Sequence, residues 1–227
     1  MSGTLALIGG AEFGVETGHH RPLFPPGTTL DVLPSAAAYE DPAGMVAAAT
    51  EHFAALDVTV RELGAMTRAD ASDPALVSAA RDAEALYVTG GSPMHLRSVL
   101  KDTPLLGALV EAWEGGATVA LAAESCSVAC SHMVDLRGGA FTVGLGLITS
   151  MTVIPRFERW SPDKRHRTIG LAAPDLVVAG IDESTALVRS SDGRWGVSGT
   201  GQVHVFRGGS LLSLDDLPTA LNPDAGY

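Results

Sequence analysis

The stretch Val119–Ala129, VALAAESCSVA, decides the fold, because an apolar run stops there at a polar cluster and then continues as small residues. This order predicts a strand, a sharp turn and a helix. The residue at the tip of such a turn is strained and crowded, so the positions two residues before and after it must be small. Ala123 and Ser127 meet that requirement around Ser125. We therefore predict Ser125 at the strained tip, where a nucleophile would stand.

Length and composition favour one soluble globular domain. The chain has 227 residues, of which 46% are hydrophobic, enough to bury a full core, and we expect a single domain over residues 1–227. No apolar run approaches the roughly 20 residues that span a membrane, and the N-terminal residues lack a basic stretch followed by an apolar one. The expected location is therefore the cytoplasm, without membrane partners.

Charge and cysteine content exclude several classes of function. The formal net charge of −11 argues against nucleic-acid binding, which needs clustered basic side chains to neutralise phosphates. Cys126 and Cys130 are the two cysteines of the sequence, and they lie four residues apart on a predicted helix. Such a pair predicts reduced thiols rather than a disulfide framework or a zinc site. We expect no metal and no cofactor.

Strands and helices alternate through the first half of the chain. The apolar runs that predict strands end in glycine or other small residues, and they cover 5–8, 29–34, 58–63, 85–89 and 119–122. The helices predicted between them cover 43–56, 73–82 and 103–113. This pattern predicts an α/β fold, a three-layer sandwich with a mostly parallel, doubly wound sheet. The short glycine-bounded strands after residue 150 predict a small antiparallel C-terminal extension of the sheet edge.

Five motifs in a fixed order carry a family resemblance. They are Gly9–Glu12, Tyr87–Gly91, Ala123–Ser127, Gly144–Leu147 and Gly180–Leu187. Together they resemble the peptidase S51 family, which includes dipeptidase E and cyanophycinase, within the class I glutamine amidotransferase-like superfamily. The resemblance spans residues 5–208. It implies a peptidase that cleaves at aspartyl or β-aspartyl residues with a serine, a histidine and an acidic residue.

The resemblance assigns catalytic roles residue by residue. The Gly-Thr-Ser-Ala-Gly of the family corresponds to Ala123–Ser127, which makes Ser125 the nucleophile. The Asp-Gln-His-Phe of the family corresponds to Ile154–Phe157, so Arg156 stands in place of the histidine. Arginine remains protonated at physiological pH and cannot take the proton of a serine. The acidic residue corresponds to Glu183, or to Asp182, and we expect Glu183 to form an ion pair with Arg156.

Other residues of the predicted site stabilise the transition state or hold the substrate. The backbone N–H groups of Gly91 and Cys126 would form an oxyanion hole. The glycine turns at Gly10 and Gly90 lie at the carboxyl ends of their strands, where ligands of such sheets bind. The basic segment from residue 156 to 167 would attract an anionic ligand. Within it, we predict substrate contacts for Arg156, Arg159 and His166.

The group that replaces the missing histidine is left open. Glu124, beside the nucleophile, is a general base, a group that binds a ligand amine, or an ordinary surface turn residue. His166 would reach the site if its segment were a mobile loop folded over the turn, but its charged neighbours indicate a solvated face. His19 and His20 either overhang the cleft or belong to an exposed loop. We list Ser125, Glu183 and Glu124 as catalytic candidates.

Three functions therefore remain open from the sequence. The first is a serine hydrolase with a divergent triad that acts on a small acidic peptide or amide. The second is an inactive or repurposed protein that binds a carboxylate-containing ligand. The third is an amidotransferase-like or lyase enzyme that uses Cys126, whose thiol lies near a helix N-terminus where the dipole lowers its pKa. A homodimer is a further expectation, with Trp160 as either a lid residue or a dimer contact.

Overall fold

The computed structural model describes residues 2–14 and 18–221. Its strands are β1 (Leu5–Ile8), β2 (Thr29–Leu33), β3 (Thr59–Glu62), β4 (Ala85–Val88), β5 (Thr118–Ala122), β6 (His132–Val134), β7 (Phe141–Val143), β8 (Met151–Pro155), β9 (Val177–Ile181), β10 (Thr185–Arg189), β11 (Trp195–Gly199), β12 (Val203–Arg207) and β13 (Ser210–Leu212). Its α-helices are α1 (His20–Leu23), α2 (Pro42–Ala54), α3 (Pro74–Arg81), α4 (Pro93–Leu100), α5 (Pro104–Glu114), α6 (Glu124–Ala129) and α7 (Pro162–Leu171).

The main sheet has seven strands in the order β11-β10-β1-β5-β4-β2-β3. The five strands from β1 to β3 in that order are parallel, whereas β10 and β11 are antiparallel to their neighbours. The predicted α/β class with a mostly parallel sheet is confirmed. The predicted C-terminal extension is only partly correct, because β9 and β12 do not join this sheet. They form a second sheet, β13-β12-β9-β8, in which β8 and β9 are parallel.

Helices cover both faces of the main sheet. Along β4, Leu86 and Val88 belong to one buried cluster, and Tyr87 belongs to the other. A strand buried on both faces reads as a continuous apolar run, which is why the sequence signal here was clear. Residues of α3, α4, α5 and α6 pack in the first cluster, and Phe53 of α2 packs in the second. The three-layer arrangement follows.

Five helices begin with the same local signal. The side chains of Asp41, Asp73, Ser92, Thr103 and Ser161 each accept a hydrogen bond from the first turn, and a proline follows each of them. The last of these signals starts α7, so the part of the basic segment that carries His166 is a helix and not a loop that folds over the turn. None of the helices in the described part of the chain is long and apolar enough to cross a membrane.

Candidate active site

The strained residue of the turn after β5 is Ala123. β5 ends at Ala122, Ala123 has φ 48° and ψ −125°, and α6 begins at Glu124. The prediction that Ser125 occupies the tip is wrong, because Ser125 is the second residue of α6. The Ala123 N–H donates to the carbonyl of Ile8 at 2.8 Å, which continues the pairing with β1 to this residue and fixes where the chain turns.

Ser125 faces the interior rather than the cleft. Its side chain is fully buried, and its Oγ donates a hydrogen bond to the carbonyl oxygen of Thr89 at 2.6 Å. A hydroxyl that is buried and already donating to a backbone carbonyl is not in position to attack a substrate. The predicted role of Ser125 as the nucleophile therefore has no geometric support.

The methyl group of Ala123 points at the glycine turn after β4. A Cβ added to Gly90 would lie 2.8 Å from the Ala123 Cβ and 2.5 Å from Glu12 Oε1, so only glycine permits this approach. In a nucleophile elbow the strained residue carries the attacking group, exposed at the carboxyl edge of the sheet. Here that position carries a methyl group. The two glycine turns and the strained turn after β5, hereafter the elbow, lie at the same edge of the sheet, with Ala123 rather than Ser125 at the strained position.

Two carboxylates of the chain accept hydrogen bonds from the backbone N–H groups of the glycine turn after β4, Gly90–Gly91. Gly90 donates to Glu12 Oε1 at 2.9 Å, and Gly91 donates to Glu124 Oε2 at 3.4 Å. The Gly91 N–H thus meets an internal anion where an oxyanion was expected. The N–H of Cys126 donates to the Ala123 carbonyl at 3.1 Å within the helix turn, so its predicted place in an oxyanion hole is wrong.

Arg156 lies beside the elbow and is held by carboxylates. It follows β8 with a left-handed backbone, φ 50° and ψ 45°, and its N–H donates to Gly9. Its side chain crosses Gly10, where an added Cβ would meet the Arg156 Cγ and Nε at 2.9 Å. Its Nη1 donates to Glu124 Oε1 at 2.5 Å, and its Nε is 3.6 Å from Glu183 Oε1. The expected pair with Glu183 is present, and Glu124 is the closer partner.

Glu124 is therefore a buried ion-pair residue rather than a surface turn residue. Its side chain is 10% exposed, compared with 40% for Arg156. Because Glu124 immediately follows the strained residue, its side chain leaves the first turn of α6 toward the glycine turns. The carboxylate thereby contacts both Arg156 and the Gly91 N–H.

The other two predicted substrate contacts, Arg159 and His166, offer no unpaired cation beside Arg156. Arg159 pairs with Glu183, with Nη2 2.7 Å from Oε2, and also lies 3.5 Å from Glu158. His166 is exposed on α7, and within the described residues it makes no hydrogen bond or ion pair with Glu124, Arg156 or Glu183. Arg156 and Arg159, the two arginines expected to contact an anionic ligand, are thus both paired with acidic neighbours, and His166 is not brought to the elbow.

Glu12 is the site residue that sequence reasoning missed. It is 9% exposed, and burial raises the pKa of its carboxyl group to about 7. The nearby Glu124 also raises this pKa, whereas the Gly90 N–H and Arg156 oppose the shift. Within residues 2–14 and 18–221, its Oε2 has no hydrogen-bond partner. Its position directly after the first glycine turn was the available signal.

The Cys126 thiol is not an activated nucleophile. It is fully buried, and the carbonyl oxygens of Leu121 and Ile8, 2.9 Å and 3.1 Å from its Sγ, are the acceptors for its single S–H. Burial raises its pKa well above the ordinary range, which is the opposite of the predicted effect of the helix dipole. Cys126 and Cys130 are both free thiols, as expected. A mechanism based on Cys126 is therefore not supported.

The paired histidines form part of the core. His19 and His20 are fully buried instead of lying in an exposed loop, and His20 Nδ1 is 2.9 Å from His52 Nε2. The rings of Phe13 and Tyr87 pack against His20. Burial lowers the pKa of His19 to about 4 and that of His20 to about 2, so both are neutral at pH 7. No group of three or more metal-binding side chains occurs in the part of the chain that the structure describes.

Comparisons with known proteins agree with this architecture. The profile of peptidase family S51 matches residues 27–194, which is more than half of the chain. A crystal structure of a peptidase from an acI-B1 actinobacterium is 28% identical, with a TM-score of 0.80 over 92% of each chain. A putative peptidase E from Listeria monocytogenes EGD-e, 15% identical with a TM-score of 0.60 over 91% of this chain and 99% of that one, shares the fold.

Curated proteins of similar sequence include cyanophycinases, at low sequence identity. A cyanophycinase of Synechococcus elongatus is 29% identical over 194 residues, which cover 78% of this chain. A cyanophycinase of Trichormus variabilis is 32% identical over 130 residues, covering 53% of this chain and 44% of that protein. The match spans 58% of the length of the Synechococcus protein. The fold, the motif order and the extent of the profile match lead to one conclusion: the chain belongs to peptidase family S51.

Proposed function

We propose that this protein is an S51 homologue that binds a small peptide or amide ligand without serine-dependent hydrolysis. The ligand would lie in the elbow cleft, the region between the strained turn at Ala123 and the glycine turns at Gly10 and Gly90. The observation that carries the proposal is Ala123, which has the strained backbone of the elbow and a side chain that cannot attack a carbonyl. A methyl group has neither a lone pair nor a proton to exchange. Covalent catalysis through the elbow residue is therefore absent from this mechanism.

Two further features support loss of the serine mechanism. Arg156 lies where the family pattern has its histidine, and it cannot accept a proton. The Gly91 N–H, which would stabilise a developing oxyanion, already faces the Glu124 carboxylate. Nucleophile, base and oxyanion donor are thus altered together. Each change alone lowers the rate of a serine peptidase by several powers of ten. The rate enhancement that remains comes from binding the substrate.

The cleft nevertheless has the features of a ligand site. It lies at the carboxyl ends of parallel strands, the usual ligand position in such sheets. The buried carboxyl group of Glu12, with its raised pKa, lies there, and such perturbed groups are typical of functional sites. The relatives named peptidase support a peptide-like or amide ligand.

A fluorophosphonate probe and a panel of aspartyl dipeptides test the proposal. We expect no labelling of the wild type and no dipeptide cleavage above that of a heat-denatured sample, while a known serine peptidase reacts in parallel. Ser125→Ala is the matched control, since it removes the serine hydroxyl two residues after Ala123. Labelling of the wild type that maps to Ser125 and disappears in Ser125→Ala would disprove the proposal.

A second candidate is water-dependent hydrolysis with Glu12 as the general base. It is favoured by one observation, the pKa of about 7 that burial gives this carboxyl group, because a base tuned near the working pH is most effective. Glu12 would take a proton from the attacking water and return it to the leaving amine. Dipeptide cleavage without probe labelling, abolished by Glu12→Gln, would favour this mechanism over binding alone.

A further inference from the structure

Acidic side chains outnumber basic ones around Ala123. Glu12 and Glu124 lie side by side against Gly90, where an added Cβ would be 2.5 Å from Glu12 Oε1 and 3.2 Å from Glu124 Oε2. Arg156 contacts Glu124 and Glu183, and Glu183 is shared with Arg159. With three carboxylates and two guanidinium groups, this set carries an excess of negative charge when Glu12 is ionised. A compensating positive group is needed.

The Glu12 carboxylate shows where that positive group is needed. Its Oε1 accepts from the Gly90 N–H, whereas its Oε2 is buried and lacks a hydrogen-bond partner within the described residues. A buried polar atom without a partner is destabilising, and more so when the group is charged. In the free protein a proton meets this need for part of the molecules. A ligand cation would meet it more completely, because it also supplies hydrogen-bond donors.

We propose that an alkylammonium group of the ligand binds between Glu12 and Glu124, beside the methyl group of Ala123. The inference rests on the proposed function, and it names the ligand class of that site. A primary ammonium carries three N–H donors on a compact charge, so it can donate to the unpartnered Glu12 Oε2 and to the neighbouring Glu124 carboxylate. The Ala123 methyl lies against Gly90 beside the two carboxylates.

This assignment replaces the carboxylate-containing ligand expected from the sequence. That expectation depended on unpaired arginines, but Arg156 and Arg159 each have carboxylate partners within 4 Å. A ligand carboxylate would have to displace Glu124 or Glu183 and would approach Glu12 at close range. Like charges at such distances are unfavourable, so a cation is the better complement.

Binding of an ammonium is coupled to release of the Glu12 proton. The groups that face Glu12 are the Gly90 N–H after β4, Glu124 and Cys126 on α6, Arg156 after β8, and Tyr87 on β4. Because the pKa of Glu12 is about 7, part of the population must lose a proton before the cation binds. The affinity therefore rises with pH below about 7, by up to tenfold per pH unit, and levels off above it.

Three matched amides test the charge class. N-acetyl-lysine amide, N-acetyl-norleucine amide and N-acetyl-glutamate amide differ chiefly in side-chain charge, and their dissociation constants are measured by NMR titration at pH 7.5. We expect the lysine amide to bind at least tenfold more tightly than the norleucine amide, and the glutamate amide to bind most weakly. Glu12→Gln should remove the preference for lysine. Glu114→Gln, which removes an exposed carboxylate at the end of α5, should retain it.

A calorimetric measurement on the wild type keeps the test independent of variant folding. Titration of the lysine amide in buffers of different ionisation enthalpy should report proton release near pH 7 and almost none at pH 9. Equal binding of lysine and norleucine amides, tighter binding of the glutamate amide, or lysine binding without proton release would overturn the ammonium site and leave the proposed function standing. Binding of none of the three would overturn the proposed function itself.

Discussion

Glu124 Oε1 accepts a hydrogen bond from Arg156 Nη1 at 2.5 Å, directly beside the strained residue Ala123. The pair occupies the elbow cleft with fixed charges, in the place where a serine peptidase needs a nucleophile and a mobile proton. Since Glu124 is largely buried and Arg156 is partly exposed, the carboxylate depends more on the pair than the guanidinium does. Stability and function of the site are therefore linked at these two residues.

Arg156→Gln should destabilise the protein by about 1–3 kcal/mol, since it leaves Glu124 without its cation next to Glu12. The value is set below that of a fully buried pair because Arg156 is 40% exposed. Glu124→Gln combined with Arg156→Gln should recover part of the loss. Urea unfolding of the wild type, both single variants and the double variant measures the coupling energy. Additive losses in the double variant would contradict the coupling.

Ser125→Ala should cost about 1 kcal/mol of stability, because a buried hydrogen bond to the Thr89 carbonyl is lost. Ligand binding should not change, since the hydroxyl faces the interior. Thermal unfolding and titration with the lysine amide check the two parts. A large change in ligand affinity with unaltered stability would place Ser125 in the cleft after all.

Arg156→His alone should not create a serine peptidase, because the elbow residue would still be alanine. Ala123→Ser, Glu124→Ala and Arg156→His together place a hydroxyl at the strained position, clear the Gly91 N–H and supply a base. We expect fluorophosphonate labelling at position 123 in this triple variant and cleavage of aspartyl dipeptides about tenfold or more above the wild type. Labelling of the Arg156→His variant at Ser125 would refute the assignment of the elbow.

Glu12→Gln should change the pH dependence of stability. The pKa of Glu12 is raised by burial to about 7, above the ordinary value near 4.5, so its contribution is fully present below about pH 4.5 and is lost as pH rises to 7. Relative to the variant, the wild type should lose up to about 3 kcal/mol between pH 4.5 and pH 8. Urea unfolding at intervals of one pH unit measures this difference. If the difference in unfolding free energy between the wild type and Glu12→Gln did not change with pH, the pKa of Glu12 would not be raised.

Most of the fold followed from local signals in the sequence. Apolar runs that end in glycine marked the parallel strands, and Asp73–Pro74 marked the start of α3. The equivalent signal at Ser161–Pro162 marks α7, where the density of charge had favoured a loop. The separation of β9 and β12 into a second sheet depends on which strands pair over long distances. Short, glycine-bounded strands carry no such information.

The sequence pattern places the strained residue at Ser125, two residues after its actual position at Ala123, and the reason is physical. Small residues flank Ser125 on both sides, but the strained position is set by where the pairing of β5 with β1 ends, at the hydrogen bond from Ala123 to Ile8. That end point is a tertiary property. The burial of Glu12 is tertiary too, because it results from three separate chain segments meeting at Gly90. The ion pair of Arg156 with Glu183 was foreseen because both residues came from the family pattern.

The interlocked charges at the elbow also constrain how such a site changes in evolution. Replacing Arg156 alone leaves the buried Glu124 carboxylate without its cation. Replacing Glu124 alone leaves Arg156 with the more distant Glu183. Restoring a serine at Ala123 brings no benefit while the neighbouring positions are unchanged. A return to the family chemistry would thus pass through less stable intermediates that gain no activity. Once these charges are in place, single substitutions would not readily restore a serine mechanism at this site.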